Sequence, residues 1–515
     1  MVLSLAQLCA PWPDLRLEGQ SEVAIEAVVV DSRQAGPGAL FVAIPGSQVD
    51  GHSFVAAAVA AGCAAVAVTA SRRDELELDP DAGLPPAVVL TDDTSPLPAR
   101  LTRQLLARPD NDLLVAAVTG TNGKTTVAFL LHEMLSTLVG QCGLLGTVRY
   151  EIGSRRRPAL LTTPDGPTLF GLLRDMVVEG CRSVALELSS HALFQQRAAD
   201  LSLDVAVLTN FGRDHLDYHP DLAAYLQAKA GILDLLRPSA VREKPPGAVA
   251  INVADPALAS LDLDGLNAVR FVADPDAARA PRVDLQVVTS ELTSVGSRLE
   301  LAYAGGELEL SSPLVGRFNV ENLTAALAAG LALGLPAEQC ARALSGVDQV
   351  PGRLERFGLP SGGVAVVDYA HTPDALAAVM TACRELTRGR LLVVFGCGGD
   401  RDQGKRPLMG EVVAQGADGA WITSDNPRGE DPAAICETIA AGCEAAGDRR
   451  AEFIETVVDR TSAIEAALAA AGRADLVIVA GKGHEDYQIV GDQRLHLDDR
   501  EIVRNWIERS RADAQ

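Results

Sequence analysis

Short runs rich in β-branched residues alternate along most of the chain with longer runs rich in Ala and Leu, the pattern of α/β domains built around largely parallel sheets. Over residues 1–97, AVVVDSR, ALFVAI, AAVAVTA and AVVLTDD read as strands around a helix at 53–61, and the segment closes on the proline-bearing SPLP. It is too small to be a complete nucleotide-binding fold. From 98 to 348 the pattern opens on the strand LLVAAVTG and continues with strands at 183–188, 205–209 and 248–252. It then changes character. VDLQVVTSELTSVGSRLELAYAGGELELSS alternates apolar and polar positions with a period of two, which predicts antiparallel strands appended to the parallel sheet. A helix over Glu321–Leu335 and another reaching Leu344 follow. From 349 to 515, VAVVDYA, RLLVVFG, GAWITSD and ADLVIVAG are each followed by a helix-like run, which predicts a second, Rossmann-like doubly wound sheet.

Size agrees with this division, because 515 residues exceed the roughly 250–300 at which one hydrophobic core stops growing. Charge narrows the partners. With 45 Lys+Arg against 68 Asp+Glu and a formal charge of -23, the chain is a poor match for nucleic acid or an anionic membrane, whose binding needs many cations. Anionic substrates must then be held by a few local cations, backbone amides and metal ions. The nine cysteines are odd in number, scattered and without a Cys-x-x-Cys pair, as expected of reduced thiols in a cytoplasmic protein. No basic segment precedes the short apolar run of MVLSLAQLCAPWP, so no signal peptide is expected. The longest uncharged stretch, 54–70, is broken by Gly62 and reads as helix, glycine stop and strand rather than a membrane span.

The clearest chemistry lies at Val118-Thr119-Gly120-Thr121-Asn122-Gly123-Lys124-Thr125-Thr126, between the strand ending at Val118 and the run VAFLLHEMLSTL. Strand, glycine loop and helix is the setting of a phosphate loop: glycines let N–H groups turn toward phosphate oxygens, the helix start favours anions, and Lys124 reaches the terminal phosphates. Thr125 is placed to ligate Mg²⁺. The general pattern has glycine where this chain has Val118, so the loop is a variant. Glu187, at the carboxyl end of a predicted strand, stands where ligands gather in such sheets and is a candidate metal ligand.

The variant Thr-Gly-Thr-Asn-Gly-Lys-Thr-Thr resembles the ATP loop of the Mur ligases and the related folylpolyglutamate synthetases. Glu187-Leu188-Ser189-Ser190-His191, Arg213-Asp214-His215-Leu216-Asp217-Tyr218-His219, Gly316-Arg317-Phe318-Asn319-Val320-Glu321-Asn322, Pro351-Gly352-Arg353-Leu354-Glu355, Asp368-Tyr369-Ala370-His371 and Gly481-Lys482-Gly483-His484-Glu485 resemble the Mur ligase family in its order, over nearly the whole chain. The resemblance implies three domains: a small N-terminal α/β domain that grips a uridine nucleotide, a central ATPase-like sheet with an antiparallel appendage, and a C-terminal Rossmann-like domain that selects an amino acid. It implies an ATP-dependent amide-bond ligase acting through an acyl phosphate and requiring Mg²⁺; a monomer is expected, although the sequence itself does not reveal the oligomeric state.

Residue by residue, the resemblance gives Lys124, Glu187, His215 and Lys229 catalytic roles, with Lys229 carbamylated to N6-carboxylysine. Thr125, Glu187, His215 and that carbamate would hold the metal. ATP would also touch Gly120, Thr121, Asn122, Gly123, Thr126, Asn319, Asn322, Arg353 and Asp368, which predicts that ATP bridges two domains across a hinge near 346–351. Ser32, Ser47, Gln48, Thr162, Thr163, Ser189, Gln195 and Arg197 match positions that hold UDP-N-acetylmuramoyl-L-Ala-D-Glu. Arg401, Asp425, Asn426, Pro427, Arg428, Gly481 and Glu485 match positions that hold the incoming amino acid. Asp-Asn-Pro-Arg resembles the signature of the branch that adds meso-diaminopimelate, whose distal carboxylate suits the planar fork of Arg428. The alternatives are the lysine-adding branch, a folylpolyglutamate synthetase and a nucleotide-switched binding protein, although no guanine-reading Asn-Lys-x-Asp segment is present. Without the resemblance, Lys229 reads as a surface lysine and Thr-Thr-Pro-Asp as a turn with a helix cap.

Overall fold

The structure, a computed structural model, describes residues 2–46, 49–75, 87–276, 282–293 and 295–513. The chain folds as two compact units: Met1–Val288 with Leu301–Leu308 and Glu321–Leu344, and Thr289–Glu300 with Glu309–Val320 and Ser345–Gln515.

The first unit begins with a five-stranded sheet in the order Arg16–Glu18, Ala87–Thr91, Ala65–Thr69, Ala39–Val42, Ala27–Val29. Its last four strands are the four predicted, and they run parallel. Arg16–Glu18 pairs antiparallel at the edge, too short and polar to announce itself. The predicted helix is Val55–Ala60, entered through the 3-10 turn Gly51–Phe54.

An eleven-stranded sheet follows. Its parallel centre is ordered Cys142–Leu145, Ser183–Glu187, Leu114–Thr119, Val205–Leu208, Ala248–Asn252, Asn267–Val272. Val115 to Val118 have no exposure at all, because helices cover both faces; a continuous apolar run with no polar alternation is what such a strand requires. One edge carries the antiparallel strands Arg149–Ile152 and Arg155–Pro158. The other carries Leu285–Thr293, Gly296–Tyr303 and Gly306–Ser312, where period-two alternation foresaw them.

The second unit is built on the order Glu355–Gly358, Val364–Asp368, Leu476–Ala480, Leu391–Phe395, Gly419–Ile422, Phe453–Thr456, all parallel except the first. Successive residues feed opposite cores: Val366, Val393 and Ile478 point to one face, Val367, Val394 and Val479 to the other. A hairpin, Tyr487–Val490 with Gln493–His496, projects after the last parallel strand.

The helix expected to begin at Glu321 begins at Arg317, one turn earlier. All nine cysteines are free and buried, and burial raises their thiol pKa values, Cys9 to about 12 and Cys443 to about 11. Among the described residues, no helix is long and apolar enough to cross a membrane.

Candidate active site

The phosphate loop leaves the strand Leu114–Thr119 and enters the helix Lys124–Leu138. Gly120 (φ +154°) and Gly123 (φ +85°) adopt backbone conformations that side-chain-bearing residues rarely take, and a Cβ would collide with Thr209 Oγ1 at the first and Asn322 Oδ1 at the second. Lys124 folds back over the loop, its Nζ donating to the carbonyls of Gly120 and Thr121, both at 2.9 Å. The loop is tied to the next strand's end, since Asn122 N donates to Asn210 Oδ1 (2.8 Å) and Thr209 Oγ1 to Asn122 O (2.7 Å). Thr121 Oγ1 accepts from Gly212 N at 2.9 Å and lies 3.3 Å from Tyr225 Oη. Thr125 and Thr126 are buried in the helix's first turn.

Glu187 ends its strand with a buried side chain whose carboxylate collects three donors. Oε1 accepts from Thr147 N (2.8 Å), and Oε2 accepts from Thr147 Oγ1 (3.0 Å) and Thr125 Oγ1 (3.1 Å). Gly146 makes this approach possible, because any side chain there would strike the carboxylate. A hydroxyl and a carboxylate thus meet beside the phosphate loop, the hard oxygen donors that suit Mg²⁺.

Lys229 is 1% exposed, not a surface lysine. Asp221 caps the helix Leu222–Ala230 by accepting from Ala224 N (2.8 Å), and the last turn delivers Lys229 to the loop, where Nζ donates to Gly120 O at 2.7 Å. The ammonium also sits 4.5 Å from the centre of the Tyr225 ring. Burial, reinforced by the charge of Lys124 and opposed by Asp214, depresses its pKa well below the usual lysine value. His215, at φ +53°, lies edge-on to His191 with ring centres 4.9 Å apart. Burial lowers the His215 pKa, and that of His191 to about 4, where the neighbouring His215 and His219 add to the effect. His219 is buried with Nε2 3.1 Å from Ser190 Oγ. Among the described residues, no group of three or more His, Cys, Asp or Glu side chains is arranged to hold a metal ion.

The same carboxylate strand organises a third group. Thr147 Oγ1 lies 3.1 Å from Thr162 Oγ1; Thr163 Oγ1 donates to Glu187 O (2.7 Å) and accepts from Ser189 N (3.0 Å). Arg197 donates to Thr163 O (3.0 Å) and to Gln195 Oε1 (2.9 Å), while Gln195 Nε2 donates to Tyr218 Oη (2.8 Å). Thr162, Thr163, Ser189, Gln195 and Arg197 therefore form one network rooted at Glu187. Asp165 also caps the helix Gly166–Val178, so the turn reading of Thr-Thr-Pro-Asp holds as well. Ser32 opens the 3-10 turn Ser32–Gln34, apart from this network, and Ser47 and Gln48 lie outside the described residues.

In the second unit, the segments 425–428 and 481–485 meet. Asn426 Nδ2 donates to Glu485 Oε2 (3.0 Å), while Asn426 Oδ1 accepts from Lys482 Nζ (3.1 Å) and Ile489 N (3.0 Å). Gly481 has φ +115°, and a Cβ there would come within 2.7 Å of Asp425 Oδ2. Arg428, at φ +51°, is clamped by its backbone to the projecting hairpin, donating to Ile489 O (3.0 Å) and accepting from Gly491 N (2.7 Å). Its Nη1 donates to Gly399 O at 2.7 Å. Pro427 precedes it and accepts from Glu430 N at 3.1 Å; Arg401 is exposed. Behind these segments the buried Arg460, paired with Asp499 (2.8 and 2.7 Å), donates to the carbonyls of Ser424 (3.3 Å) and Ala480 (2.9 Å), fixing where both begin. Asp368 accepts from Leu354 N and Ala370 N, both at 2.8 Å. Its burial raises its pKa against the opposing charge of Arg353, whose guanidinium lies over the Tyr369 ring at 4.8 Å. Asn319 Nδ2 donates to Val315 O (2.8 Å).

The descriptions Mur ligase family, catalytic domain, Mur ligase middle domain, and Mur ligase, glutamate ligase domain match residues 24–90, 118–330 and 352–483 in turn. A UDP-N-acetylmuramoyl-L-alanyl-D-glutamate--2,6-diaminopimelate ligase of Gloeobacter violaceus is 41% identical over 95% of both chains, and a protein of the same description from Geobacter metallireducens is 39% identical over 94% of both. A solved structure of that description is 30% identical, with a TM-score of 0.66 over 99% of this chain and 100% of its own. The chain belongs to the Mur ligase family. It is an ATP-dependent ligase that forms amide bonds, with the N-terminal, central and C-terminal domains of that family.

Mur ligase motifs pointed to Thr125, Glu187 and Lys229, and the fold brings all three to the phosphate loop. They did not include Thr147, which supplies two of the three bonds to Glu187, or Tyr225, and Tyr218 and Lys482 lie within those motifs without an assigned role. The glycine before Thr147 was a usable signal, standing just after the apolar run 142–145.

Proposed function

We propose that this Mur ligase adds meso-2,6-diaminopimelate to the D-Glu of UDP-N-acetylmuramoyl-L-alanyl-D-glutamate in cytoplasmic peptidoglycan precursor synthesis, acting as a monomer with domain boundaries near 97 and 348. The observation that carries the reading is Arg428: a left-handed backbone, two main-chain bonds and a carbonyl partner at Gly399 fix its guanidinium two residues from Asn426, which itself donates to Glu485. A guanidinium fork takes a carboxylate by two parallel bonds, and Glu485 takes an ammonium. Diaminopimelate carries both groups at its far end; lysine carries only the amine.

The chemistry divides between the units. Lys124 and the amides of 120–124 hold the phosphates of ATP, with Asn319, Asn322, Arg353 and Asp368 serving its adenosine. The residues fit Mg²⁺, since Thr125 and Glu187 already place a hydroxyl and a carboxylate together, and a neutral buried Lys229 amine is the form that reacts with CO₂ to give a carbamate oxygen donor. With His215 these would hold the ion, which neutralises phosphate charge when bound. Thr162, Thr163, Ser189, Gln195 and Arg197 orient the dipeptide's terminal carboxylate, while Ser32, with Ser47 and Gln48, serves the uridine end. That carboxylate oxygen attacks the γ-phosphorus, ADP departs, and an acyl phosphate results. The diamino acid's amine attacks the acyl carbon, phosphate leaves, and the amine's proton is lost.

The test is mass spectrometry of the product formed from ATP, UDP-muramoyl-dipeptide and equal amounts of diaminopimelate and L-lysine. A diaminopimelate-containing tripeptide is expected; equal or greater incorporation of lysine overturns the reading.

A further inference from the structure

Lys482 has no part in the assignments above, yet its side chain is fully buried. Its Nζ donates to Asn426 Oδ1 at 3.1 Å and lies 3.5 Å from Glu485 Oε2, with the Tyr487 ring centre 5.5 Å away. Asn426 can face only one way, because its oxygen serves two donors, Lys482 and Ile489 N, and its amide nitrogen must therefore turn to Glu485.

Glu485 occupies a setting hostile to charge: burial is the largest influence raising its pKa, and Asp425 adds to it. The charged and titratable groups that face it are Lys482, Asp425, Arg460, Tyr369 and Tyr487. Arg460 is already spent on Asp499 through two bonds. Lys482, bonded to Glu485 from its own loop, is the cation that opposes burial.

We propose that Lys482 is a positioning residue for diamino-acid selection. It holds Glu485 as a carboxylate and Asn426 in the orientation that steadies it, so that an incoming ammonium meets an anion. This rests on the reading that Glu485 contacts the diamino acid. A buried carboxylate stripped of the cation bonded to it takes up a proton more readily, and a neutral acid cannot pair with an ammonium. Lys482 acts through Glu485, and so its removal should be visible in one substrate's affinity and in its dependence on pH.

The experiment compares the full-length parent, Lys482→Met, Lys482→Arg, Glu485→Gln and the Lys482→Met/Glu485→Gln double variant by ADP release. Lys482→Met should raise KM for diaminopimelate about 10- to 100-fold near neutral pH, the span of a lost charge-assisted bond, and leave KM for ATP and for the nucleotide dipeptide within about twofold. That deficit should shrink as the pH is raised, because Glu485 then ionises unaided, whereas the parent and Lys482→Arg stay flat. In the Glu485→Gln background, Lys482→Met should cost less than about threefold more, since coupled residues are not additive. An unchanged KM, a deficit independent of pH, or additive losses overturns the proposal. If Lys482→Met does not fold, Lys482→Arg decides: a KM for diaminopimelate that departs from the parent's by more than about threefold, or that varies with pH where the parent's does not, overturns it. Glu485→Gln with a normal KM defeats the underlying contact itself, which separates the two failures.

Discussion

Among the described residues, Lys229 and Lys482 are the two lysines withdrawn from solvent, one in each compact unit, and their surroundings are opposite in kind. Around Lys229 stand a backbone carbonyl, the face of Tyr225 and a second lysine's charge. Around Lys482 stand a carboxylate and an amide oxygen that is itself fixed by another bond. Equal burial therefore produces unequal chemistry. Without a bonded anion a buried lysine is pushed toward its neutral form, the one that reacts with CO₂; a bonded carboxylate works against that push. What separates the two is the nearest acid.

The sharpest way to break this comparison is Lys229→Ala. Loss of a metal-holding oxygen should lower turnover by roughly 10³-fold, the scale seen when a preorganised electrostatic group is removed, with millimolar acetate or formate restoring part of it. Full ADP release by the alanine variant would remove the carbamate from the scheme. Next in size, Arg428→Gln should raise KM for diaminopimelate about 10- to 100-fold and leave the weak use of L-lysine unchanged, because only the distal carboxylate loses its partner. An equal loss for both amino acids, measured in parallel, would mean that Arg428 does not read that carboxylate.

Thr147→Val removes one hydroxyl bond to Glu187 while keeping the backbone bond. A loss of about tenfold in kcat, recovered in part at high Mg²⁺, is expected of a group that orients a metal ligand. Titrating Mg²⁺ for both proteins checks it, and superimposable curves would count against the role. Smallest, removing CO₂ from the buffer and lowering the pH should reduce activity a fewfold, since protonation of Lys229 favours carbamate loss, with bicarbonate reversing it. Labelled-bicarbonate carbon NMR should show the carbamate directly.

Much of this architecture was legible beforehand because both large sheets are covered on two faces, and covered strands advertise themselves as unbroken apolar runs such as Leu114–Thr119 and Leu391–Phe395. Edge strands have no such requirement. Arg155–Pro158 is fully exposed and polar, and Tyr487–Val490 only partly buried, so neither showed in the pattern. The site divides along the same line. Lys124 opens the helix that follows a legible strand and Glu187 ends another; Thr147 and Lys482 matter through contacts with residues 40 and 56 positions away, a separation that periodicity does not encode. Burial of Lys229 is likewise a tertiary fact, set by the cap at Asp221 and the turn at Gly231.

The nine sulfhydryls bear on how the enzyme can be handled. Each is hidden in a core, with its acidity suppressed, so the thiolate that maleimides and iodoacetamides seek is scarce in the folded protein. A single cysteine introduced on an exposed loop would be the preferred point of attachment for a fluorophore or spin label. Distance measurements between the two units during turnover could then start from the natural chain, without first stripping its own sulfur.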